Sequence, residues 1–381
     1  MNEPSKHSRK RWSSCTVEEE FFGEERKKGK KQRKHAIATD RSKYKKTDQD
    51  KIVKRAKDKE QEKEEHLRGR VLSVMSQGIS VDCEGKIITC ALKGILKKDK
   101  TQLKNLVTVG DWVRLEEICP GEGQIYSVEP RQSVLSRADN LSRRKQQLIA
   151  ANIDQVLITV SVVSPPLKPF IVDRYIIATQ MGRMIPIIVV NKIDLFEDST
   201  FDNSLRAEEK VLYDEFISAY RKAGLRVIGV SAATGEGIDD LRREMQGKAS
   251  VFSGQSGVGK SSLITAVTGM ALLVGPIVGK TQKGTHTTSA ASFLQLPSGG
   301  WCIDTPGIRS FGVWNLNKED IEAYFTEIYA CGRKCKYPDC SHLHEQECAV
   351  IRAIEAGEIS LLRYRSYQYL IESLHERHLR R

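Results

Sequence analysis

A glycine-rich segment has residue types and a spacing that suit a bound phosphate group. From Gly254 to Ser262 it reads Gly-Gln-Ser-Gly-Val-Gly-Lys-Ser-Ser, between an apolar run and a run that favours a helix. Glycines let the backbone turn tightly and direct its N–H groups at phosphate oxygens, while Lys260 reaches the β- and γ-phosphates and Ser261 ligates Mg²⁺. The positive N-terminal end of the following helix faces the same anion. A chance match in a glycine-rich turn is the alternative, and the flanking strand and helix patterns weigh against it.

A second segment, Asn191-Lys192-Ile193-Asp194, follows an apolar β-branched run. The Asp194 carboxylate can accept hydrogen bonds from N1–H and the exocyclic amine of guanine, which adenine does not offer in that arrangement. Because a buried carboxylate left unpaired is costly, one aspartate can discriminate strongly between the two bases. An ordinary strand-end turn is the alternative for this string on its own. Ser231-Ala232, at the next predicted strand end, is weaker evidence for a backbone that braces the guanine ring.

Two further segments have the composition expected around magnesium and the γ-phosphate. The run from Trp301 ends in Asp304-Thr-Pro-Gly307, in which the aspartate would hold the magnesium shell and the glycine N–H would contact the γ-phosphate. A Gly-Thr-His-Thr-Thr segment precedes it, and one of Thr287 and Thr288 is expected to ligate Mg²⁺. The sequence does not decide between these two threonines.

These segments occur in an unusual order along the chain. In ordinary GTPases the phosphate loop comes first and the Asn-Lys-x-Asp string comes late, whereas here the string precedes the loop. Such a circular permutation is allowed where the termini of a domain lie close together. The γ-phosphate-sensing segment is therefore tethered directly to whatever follows Phe311.

A cluster of soft ligands follows the permuted domain. Cys335-x4-Cys340-x-His342-x5-Cys348 supplies three thiolates and an imidazole, the ligand set of closed structural zinc sites. Free buried cysteines are the alternative to a metal site. Cys331 and His344 are two further candidate ligands, either of which could replace one of the four. Nothing in the sequence supplies the acid or base of a catalytic zinc.

Arginine and tyrosine alternate in two predicted helices beyond the cluster. The first covers 349–356 and the second 359–374, and together they contain Arg352, Arg363, Arg365, Tyr364, Tyr367 and Tyr369. Interleaved aromatics and arginines can bind RNA. They can equally pack the cysteine cluster onto the preceding domain, and the sequence leaves both interpretations open.

The elements that must position these residues fall into two patterns. Five short alternating runs between residues 70 and 128 predict a small five-stranded β-barrel of the oligonucleotide-binding (OB) kind, with an SH3-like barrel as the alternative. Residues 131–144 read as a basic connector. From about Gln146, β-branched runs alternate with helical patterns, which predicts a doubly wound α/β sheet with ligands at the carboxyl ends of its strands.

Composition limits the remaining possibilities. The chain has 381 residues and a net charge of +12. Residues 1–66 contain 21 Lys/Arg and 14 Asp/Glu and few apolar residues, so we expect a disordered basic extension, either an arm for nucleic acid or a solvated tail. No apolar run is long enough to span a membrane, and the charged N-terminus does not resemble a secretory signal. Cysteine clustering favours a reduced compartment and a metal site over disulfides.

Taken together, the motifs and their order closely resemble the RsgA (YjeQ/YloQ) family of circularly permuted GTPases. The resemblance covers residues 67–374 and rests on Asn-Lys-Ile-Asp, Ser-Ala-Ala, the phosphate loop, Gly-Thr-His-Thr-Thr-Ser, Asp-Thr-Pro-Gly and the zinc spacing. Composition and the resemblance together divide the chain into a basic extension at 1–66, an OB-fold barrel at 67–135, a permuted GTPase domain at 146–312 and a helical zinc domain at 313–381. The extension is longer than expected for the family.

The resemblance also implies function. It implies a cytoplasmic GTP hydrolase that binds the 30S subunit and its 16S rRNA in a GTP-dependent way late in assembly and leaves on subunit-stimulated hydrolysis to GDP. We expect a monomer that does not bind membranes, since nothing in the sequence suggests a stable oligomer or a lipid anchor. The resemblance implies one structural Zn²⁺ and Mg²⁺ with GTP. Nucleotide contacts then fall to Asn191, Lys192, Ile193, Asp194, Ser231, Ala232, Ser253, Gly254, Gln255, Ser256, Gly257, Val258, Gly259, Lys260, Ser261, Ser262 and Gly307.

One position bears on how water is activated. Ile308 follows Asp-Thr-Pro-Gly, where a Ras-like enzyme has its water-orienting glutamine, so we expect slow hydrolysis by the protein alone. Lys260 and Asp304 are the other candidate catalytic residues. We hypothesise that His286 orients the water, with packing or phosphate contact as the alternative roles. An RNA-binding assembly factor that uses GTP only as an occupancy signal is the rival function, and a GTPase for a protein or membrane target is a third.

Overall fold

The structure, a computed structural model, describes residues 66–75, 77–93, 106–139, 142–269, 292–304 and 318–379. Leu67–Arg381 form one compact unit, separate from Met1–His66. The extension predicted at 1–66 lies outside the described residues except for its last position. Among the helices described, none is long and apolar enough to cross a membrane.

The first part of the compact unit is a closed barrel of five strands. They are β1 (Leu67–Met75), β2 (Gly78–Cys83), β3 (Lys86–Leu92), β4 (Trp112–Cys119) and β5 (Glu122–Val128). Neighbours pair in the order β1-β2-β3-β5-β4, and β4 returns to β1 with Arg70 opposite Trp112. Alternate side chains such as Val71, Ile88 and Leu115 point inward and are fully buried. The predicted five-stranded barrel is confirmed.

A two-stranded antiparallel hairpin follows the barrel. It consists of β6 (Val134–Asp139) and β7 (Ser142–Ala151), where the sequence had indicated only a basic connector over 131–144. That expectation was wrong, because the charged residues of the segment obscure a set of inward-facing apolar ones. Leu135, Leu148 and Ala150 are nearly or fully buried, which gives the hairpin an apolar side.

The second sheet has the parallel order expected of a doubly wound domain. Its strands are β8 (Gln155–Ser161), β9 (Ile185–Asn191), β10 (Arg226–Gly229), β11 (Ala249–Gly254), β12 (Ser292–Gln295) and β13 (Trp301–Asp304). They lie in the order β10-β9-β8-β11-β13-β12, and all neighbours are parallel except the pair β12 and β13. The predicted α/β fold is confirmed. The short edge strand β12 was not predicted, and it also pairs with β1 of the barrel through Ser73 and Ser292.

Helices cover both faces of this sheet. They are α1 (Pro169–Met181), α2 (Asn203–Lys222), α3 (Ile238–Met245), α4 (Lys260–Thr268), α5 (Lys318–Tyr324), α6 (Thr326–Gly332), α7 (Ala349–Glu355) and α8 (Leu361–Leu379). Leu157 of β8 packs with α3 and α4 on one face. Its neighbours Val156 and Ile158 pack on the other face, in the core that also contains α1, α2 and the C-terminal helices. Alternate side chains of β8 therefore face two different helix layers, one formed by α3 and α4 and the other by α1, α2 and the C-terminal helices.

A buried ionic network ties the C-terminal helices to the sheet domain. The Arg363 guanidinium of α8 pairs with Asp173 of α1, and its Nε donates to Glu327 Oε1 of α6 at 2.7 Å. Tyr220 of α2 donates its hydroxyl to Asp173 Oδ2 at 2.8 Å. Although burial disfavours the charged form, Asp173 and Glu327 together hold the pKa of Arg363 above its usual value. Arg363 thus serves packing, one of the two roles the sequence had left open.

The neighbouring tyrosines and arginines also divide into buried and exposed residues. Tyr364 and Tyr367 are buried, and their hydroxyls donate to the backbone carbonyls of His342 and Ser341 at 2.7 and 3.1 Å. Arg352 and Arg365 remain exposed. Packing therefore accounts for the inward-facing members of the pattern, and the outward-facing arginines keep the surface basic.

Candidate nucleotide site and metal centre

The two principal nucleotide motifs meet at the carboxyl edge of the parallel sheet. In the register of the strands, Gly254 at the end of β11 lies opposite Thr159 of β8, and Ser161 of β8 lies opposite Asn191 at the end of β9. Because parallel strands end at the same edge, the phosphate loop and the Asn-Lys-Ile-Asp string become neighbours across β8. Residues separated by some 60 positions in the chain thus form one site.

The phosphate loop requires glycine at the two points where it approaches other backbone or side-chain atoms. A Cβ on Gly254, whose φ is 148°, would lie 2.0 Å from the Thr159 carbonyl oxygen. A Cβ on Gly259, whose φ is 90°, would lie 2.3 Å from Asn191 Nδ2. Any other residue would therefore displace the loop or the Asn-Lys-Ile-Asp string. The loop continues into α4 at Lys260, as the sequence predicted.

The Asn191 side chain lies between the phosphate loop and the Ser-Ala-Ala segment. Its side chain is almost fully buried, its Nδ2 donates to the Val258 carbonyl at 2.9 Å, and its Oδ1 accepts from the Ala232 N–H at 3.1 Å. Both polar ends of the amide are used within the protein. Asn191 therefore holds the phosphate loop and the Ser-Ala-Ala segment in register.

Asp194 has the environment expected of a base-recognising carboxylate. Its Oδ1 is buried and has no hydrogen-bond partner among the described residues. An acceptor of this kind fits the N1–H and amine edge of guanine, which would satisfy it. Ile193 and Asp194 lie in a 3₁₀ turn that begins after Lys192, which is left-handed with φ 66°. This turn places the carboxylate just beyond the sheet edge.

Ser231 organises the third segment of the site. It is fully buried, and its Oγ accepts from the Ala233 and Thr234 N–H groups at 3.2 and 3.1 Å. This local turn places Ala232 and Ala233 at the edge of the sheet, next to Asn191. The arrangement agrees with a backbone brace for the base ring.

The residues assigned to phosphate and magnesium are only partly within the described chain. Lys260 donates to the carbonyl of Gly254 at 2.8 Å, and Ser261 is exposed in the first turn of α4. Asp304 ends β13, the strand beside β11. His286, Thr287, Thr288 and Gly307 lie outside the described residues. Ser253, by contrast, is fully buried with an unpartnered Oγ among the described atoms.

Sequence reasoning missed a supporting loop beside the site. The Lys192 ammonium donates to the Ser164 carbonyl at 2.6 Å, in a turn that contains Val163, a β-branched residue with φ 63°. Such a conformation is uncommon for valine and is maintained only by its surroundings. The buried Glu209 carboxylate of α2 accepts from the N–H groups of Val163 and Leu167 at 3.3 and 3.4 Å. The Pro-Pro pair at 165–166 was the available signal for this turn.

The predicted zinc ligands converge into a compact cluster. The ligand atoms of Cys335, Cys340, His342 and Cys348 all lie within 4.8 Å of one another. The two sulfurs of Cys335 and Cys348 are 3.8 Å apart, and each lies 3.5 Å from His342 Nδ1. Bonds of about 2.3 Å to sulfur and about 2.0 Å to nitrogen in a tetrahedron give edges of about 3.8 and 3.5 Å. The donor set and its spacing therefore fit a tetrahedral zinc ion.

The surroundings of the cluster fix its ligands. The other ring nitrogen of His342, Nε2, lies 3.2 Å from Glu322 Oε1 of α5, which directs Nδ1 toward the sulfurs. The Ala349 N–H donates to Cys335 Sγ at 3.4 Å. Cys331, one of the two further candidate ligands, instead donates to the Ala349 carbonyl at 3.3 Å. Glu322 was not identified from the sequence, since a single Glu in an acidic helix gives no distinctive pattern.

Comparison with known proteins yields consistent matches. A family model described as RsgA GTPase matches residues 128–314. A protein from Chlorobaculum parvum named small ribosomal subunit biogenesis GTPase RsgA is 41% identical, over 71% of this chain and 86% of that protein. Its namesake from Bacteroides fragilis is 35% identical, over 77% of this chain and 92% of that protein.

Two solved structures share the fold. YjeQ from Thermotoga maritima matches with a TM-score of 0.63 at 29% identity, over 81% of this chain and 98% of that one. YloQ, described as a circularly permuted GTPase, matches with a TM-score of 0.63 at 25% identity, over 83% of this chain and 97% of that one. The permuted order inferred from the motifs is thereby confirmed.

Proposed function

The chain belongs to the RsgA family of GTPases, and from that premise we propose that it hydrolyses GTP while it assists late maturation of the 30S ribosomal subunit. Guanine-nucleotide binding is supported by one arrangement of contacts. Asn191 forms hydrogen bonds to both the phosphate loop and the Ser-Ala-Ala segment, and the buried Asp194 Oδ1 beside them has no partner among the described residues. A site built around a buried acceptor selects a base with matching donors. Guanine is the nucleobase with that edge.

We assign each part of the nucleotide to residues of this chain. Asp194 recognises the base, Lys192 and Ala232 flank it, and the loop from Ser253 to Ser262 binds the phosphates. Mg²⁺, when bound, neutralises phosphate charge and is held by Ser261 and Asp304, with Thr287 or Thr288 as a further ligand. Gly307 contacts the γ-phosphate. A structural zinc ion at Cys335, Cys340, His342 and Cys348 fixes the fold of the C-terminal part.

Binding to the subunit is assigned to the two modules that flank the GTPase domain. We propose that the barrel at 67–135 and the zinc domain at 313–381 contact 16S rRNA, and that the protein acts as a cytoplasmic monomer. Because β1 pairs with β12 and Arg363 of α8 pairs with Asp173 of α1, both modules are joined to the GTPase part by direct contacts. Nucleotide state and RNA binding are thus expected to be coupled.

The coupling is testable by co-sedimentation of the full chain with purified 30S subunits. In the presence of a non-hydrolysable GTP analogue we expect about fivefold or more protein in the subunit fraction than with GDP, a factor in the usual range for coupled sites. Gly259→Val, which disrupts the phosphate loop, serves as the control and should abolish the difference. Equal binding with both nucleotides would contradict release on hydrolysis.

The rival function keeps GTP as an occupancy signal with little turnover. Ile308, in the place of a water-orienting glutamine, is the residue that favours it. Our proposal instead gives the water-orienting role to His286. Turnover measurements with the subunit separate the two.

A further inference from the structure

A pocket lies where the barrel meets the last two strands of the GTPase sheet, away from the nucleotide site. Its volume is about 380 Å³, and it is lined by Arg68, Arg70, Asp82, Glu84, Trp112 and Trp301. Trp301 is the first residue of β13, whereas the nucleotide motifs lie at the opposite end of that sheet. The pocket therefore belongs neither to the GTP site nor to the metal cluster.

Two guanidinium groups and two indole rings form its walls. The Arg68 guanidinium lies 4.1 Å from the centre of the Trp112 ring. Arg70 lies between Trp112 and Phe293, at 5.4 and 4.5 Å from the ring centres. The rings of Phe293 and Trp301 are 5.6 Å apart. Flat aromatic and guanidinium surfaces thus converge on one space.

These groups are held in place by the surrounding structure. Arg68 forms hydrogen bonds through Nε and Nη2 to Glu129, the shortest of which measures 3.0 Å. Arg70 Nη2 donates to the Asn152 carbonyl at 2.7 Å, while its Nε is buried and has no acceptor among the described residues. Both guanidiniums are therefore held against the aromatic rings, and their fixed positions lower the entropy cost of binding a ligand.

The polar lining has balanced charge. Asp82 and Glu84 line the pocket together with Arg68 and Arg70, so two carboxylates offset two guanidiniums. Such a pocket does not select an anion, because attraction by the arginines is offset by repulsion from the acids. It suits a neutral planar group that has both hydrogen-bond donors and acceptors along its edge.

We propose that this pocket binds one unpaired base of RNA, an inference that rests on the proposed ribosomal function. The base stacks on the indole surfaces, its acceptors meet the arginines and its donors meet the carboxylates. The sugar-phosphate chain remains outside the pocket. The volume accommodates a single nucleobase and leaves no room for a duplex.

The test uses the full chain and a fluorescently labelled single-stranded RNA hexamer, with binding followed by anisotropy at low salt. A hexamer of abasic ribose-phosphate, equal in charge, serves as the second probe. We expect the wild-type chain to bind the RNA about tenfold more tightly than the abasic probe, since stacking of one base contributes a factor of that order. Trp112→Leu should remove this difference by weakening RNA binding alone.

Control variants keep the outcome interpretable. Trp301→Leu, on the opposite wall, should reproduce the effect of Trp112→Leu, so that a folding defect in one variant does not decide the result. Tyr126→Leu removes a barrel aromatic outside the pocket, where Lys93 lies 3.7 Å from the ring centre, and should bind both probes as the wild type does. Thermal unfolding of each variant verifies the fold.

Two results would overturn the proposal. One is unchanged RNA affinity in both tryptophan variants, and the other is an equal loss for RNA and abasic probes. The hexamer assay contains no ribosome, so a negative result in it does not bear on GTP-dependent co-sedimentation with the 30S subunit. Loss of co-sedimentation with hexamer binding preserved would instead count against the proposed function.

Discussion

Replacing Asp194 with asparagine is expected to weaken GDP and GTP binding by about 100-fold or more. In the proposed site the carboxylate accepts from two donors of guanine, and each hydrogen bond to a charged group contributes about 1.5–3 kcal/mol. The burial of Oδ1 excludes water as a substitute partner. Asparagine has one acceptor in place of two, and its NH₂ group would face the exocyclic amine of guanine.

Asp194→Asn should also raise the affinity for xanthine nucleotides. Xanthine has a carbonyl oxygen where guanine has its amine, so Asp194→Asn should bind xanthosine diphosphate better than the wild type does. Equilibrium titration of fluorescent GDP and xanthosine diphosphate analogues measures both effects. Glu197→Gln, an equal change of charge at an exposed position three residues on, is the matched control and should leave both affinities unchanged. Equal GDP affinity in Asp194→Asn and the wild type would refute the assignment of the base site.

Replacing Arg363 with methionine is expected to destabilise the packing of the C-terminal helices by about 3–5 kcal/mol. The substitution leaves Asp173, which is fully buried, without its cationic partner. It also leaves Glu327 without the donor at 2.7 Å. Because α1, α2, α6 and α8 share this network, we expect loss of the contact between the zinc module and the sheet domain.

Urea unfolding followed by circular dichroism measures this loss. Arg365→Met, which alters an exposed arginine two positions on, is the control and should change stability by less than about 0.5 kcal/mol. The double variant Asp173→Leu with Arg363→Met should recover part of the loss, since an apolar pair can replace a buried ion pair. A small effect of Arg363→Met would show that the network is not what holds the helices.

The loss should also depend on pH with a defined sign. Burial raises the pKa of Asp173, and Arg363 opposes that rise. Without Arg363 the folded-state pKa rises further above the unfolded value of about 3.9. Relative to the wild type, the destabilisation is therefore smallest below the folded-state pKa of Asp173 in the wild type and grows as the pH rises from there toward the higher folded-state pKa in the variant.

The sequence was sufficient for the parts of the molecule whose patterns are local. Alternating runs predicted the five barrel strands, and motif order predicted the permuted GTPase. The zinc ligands also came together as their spacing indicated. Each strand pattern, each nucleotide motif and the zinc spacing lies within a short stretch of chain, so it can be identified without knowledge of its tertiary partners.

Features that depend on distant partners were missed. The hairpin β6–β7 is charged along much of its length, and only its packing reveals the apolar side with Leu135. Strand β12 has four residues and gains its hydrogen bonds from β13 and β1. Glu209 lies in a helix with many charged residues, yet its carboxylate is buried against the turn at Val163. Such contacts are set by tertiary packing, which no local pattern encodes.

The arginines and tyrosines of α8 show the same limit. Their spacing is equally compatible with an RNA-binding face and with a packed one. The structure buries Arg363 and leaves Arg365 exposed, because α1 and α6 cover one side of the helix and solvent covers the other. The partner elements, rather than the helix sequence, decide which side is functional surface.

Activation of GTP hydrolysis by the small ribosomal subunit is the main step of the proposed function. Its most direct test is the rate of phosphate release from GTP by the full chain, alone and with purified 30S subunits, with ATP as the control. We expect slow basal turnover, stimulation by the subunit of more than about tenfold, no hydrolysis of ATP, and loss of stimulation in His286→Ala. If His286→Ala keeps the full stimulation by the subunit, only the proposed water-orienting role of His286 is refuted. Turnover unaffected by the subunit would contradict the account and favour the occupancy-signal function.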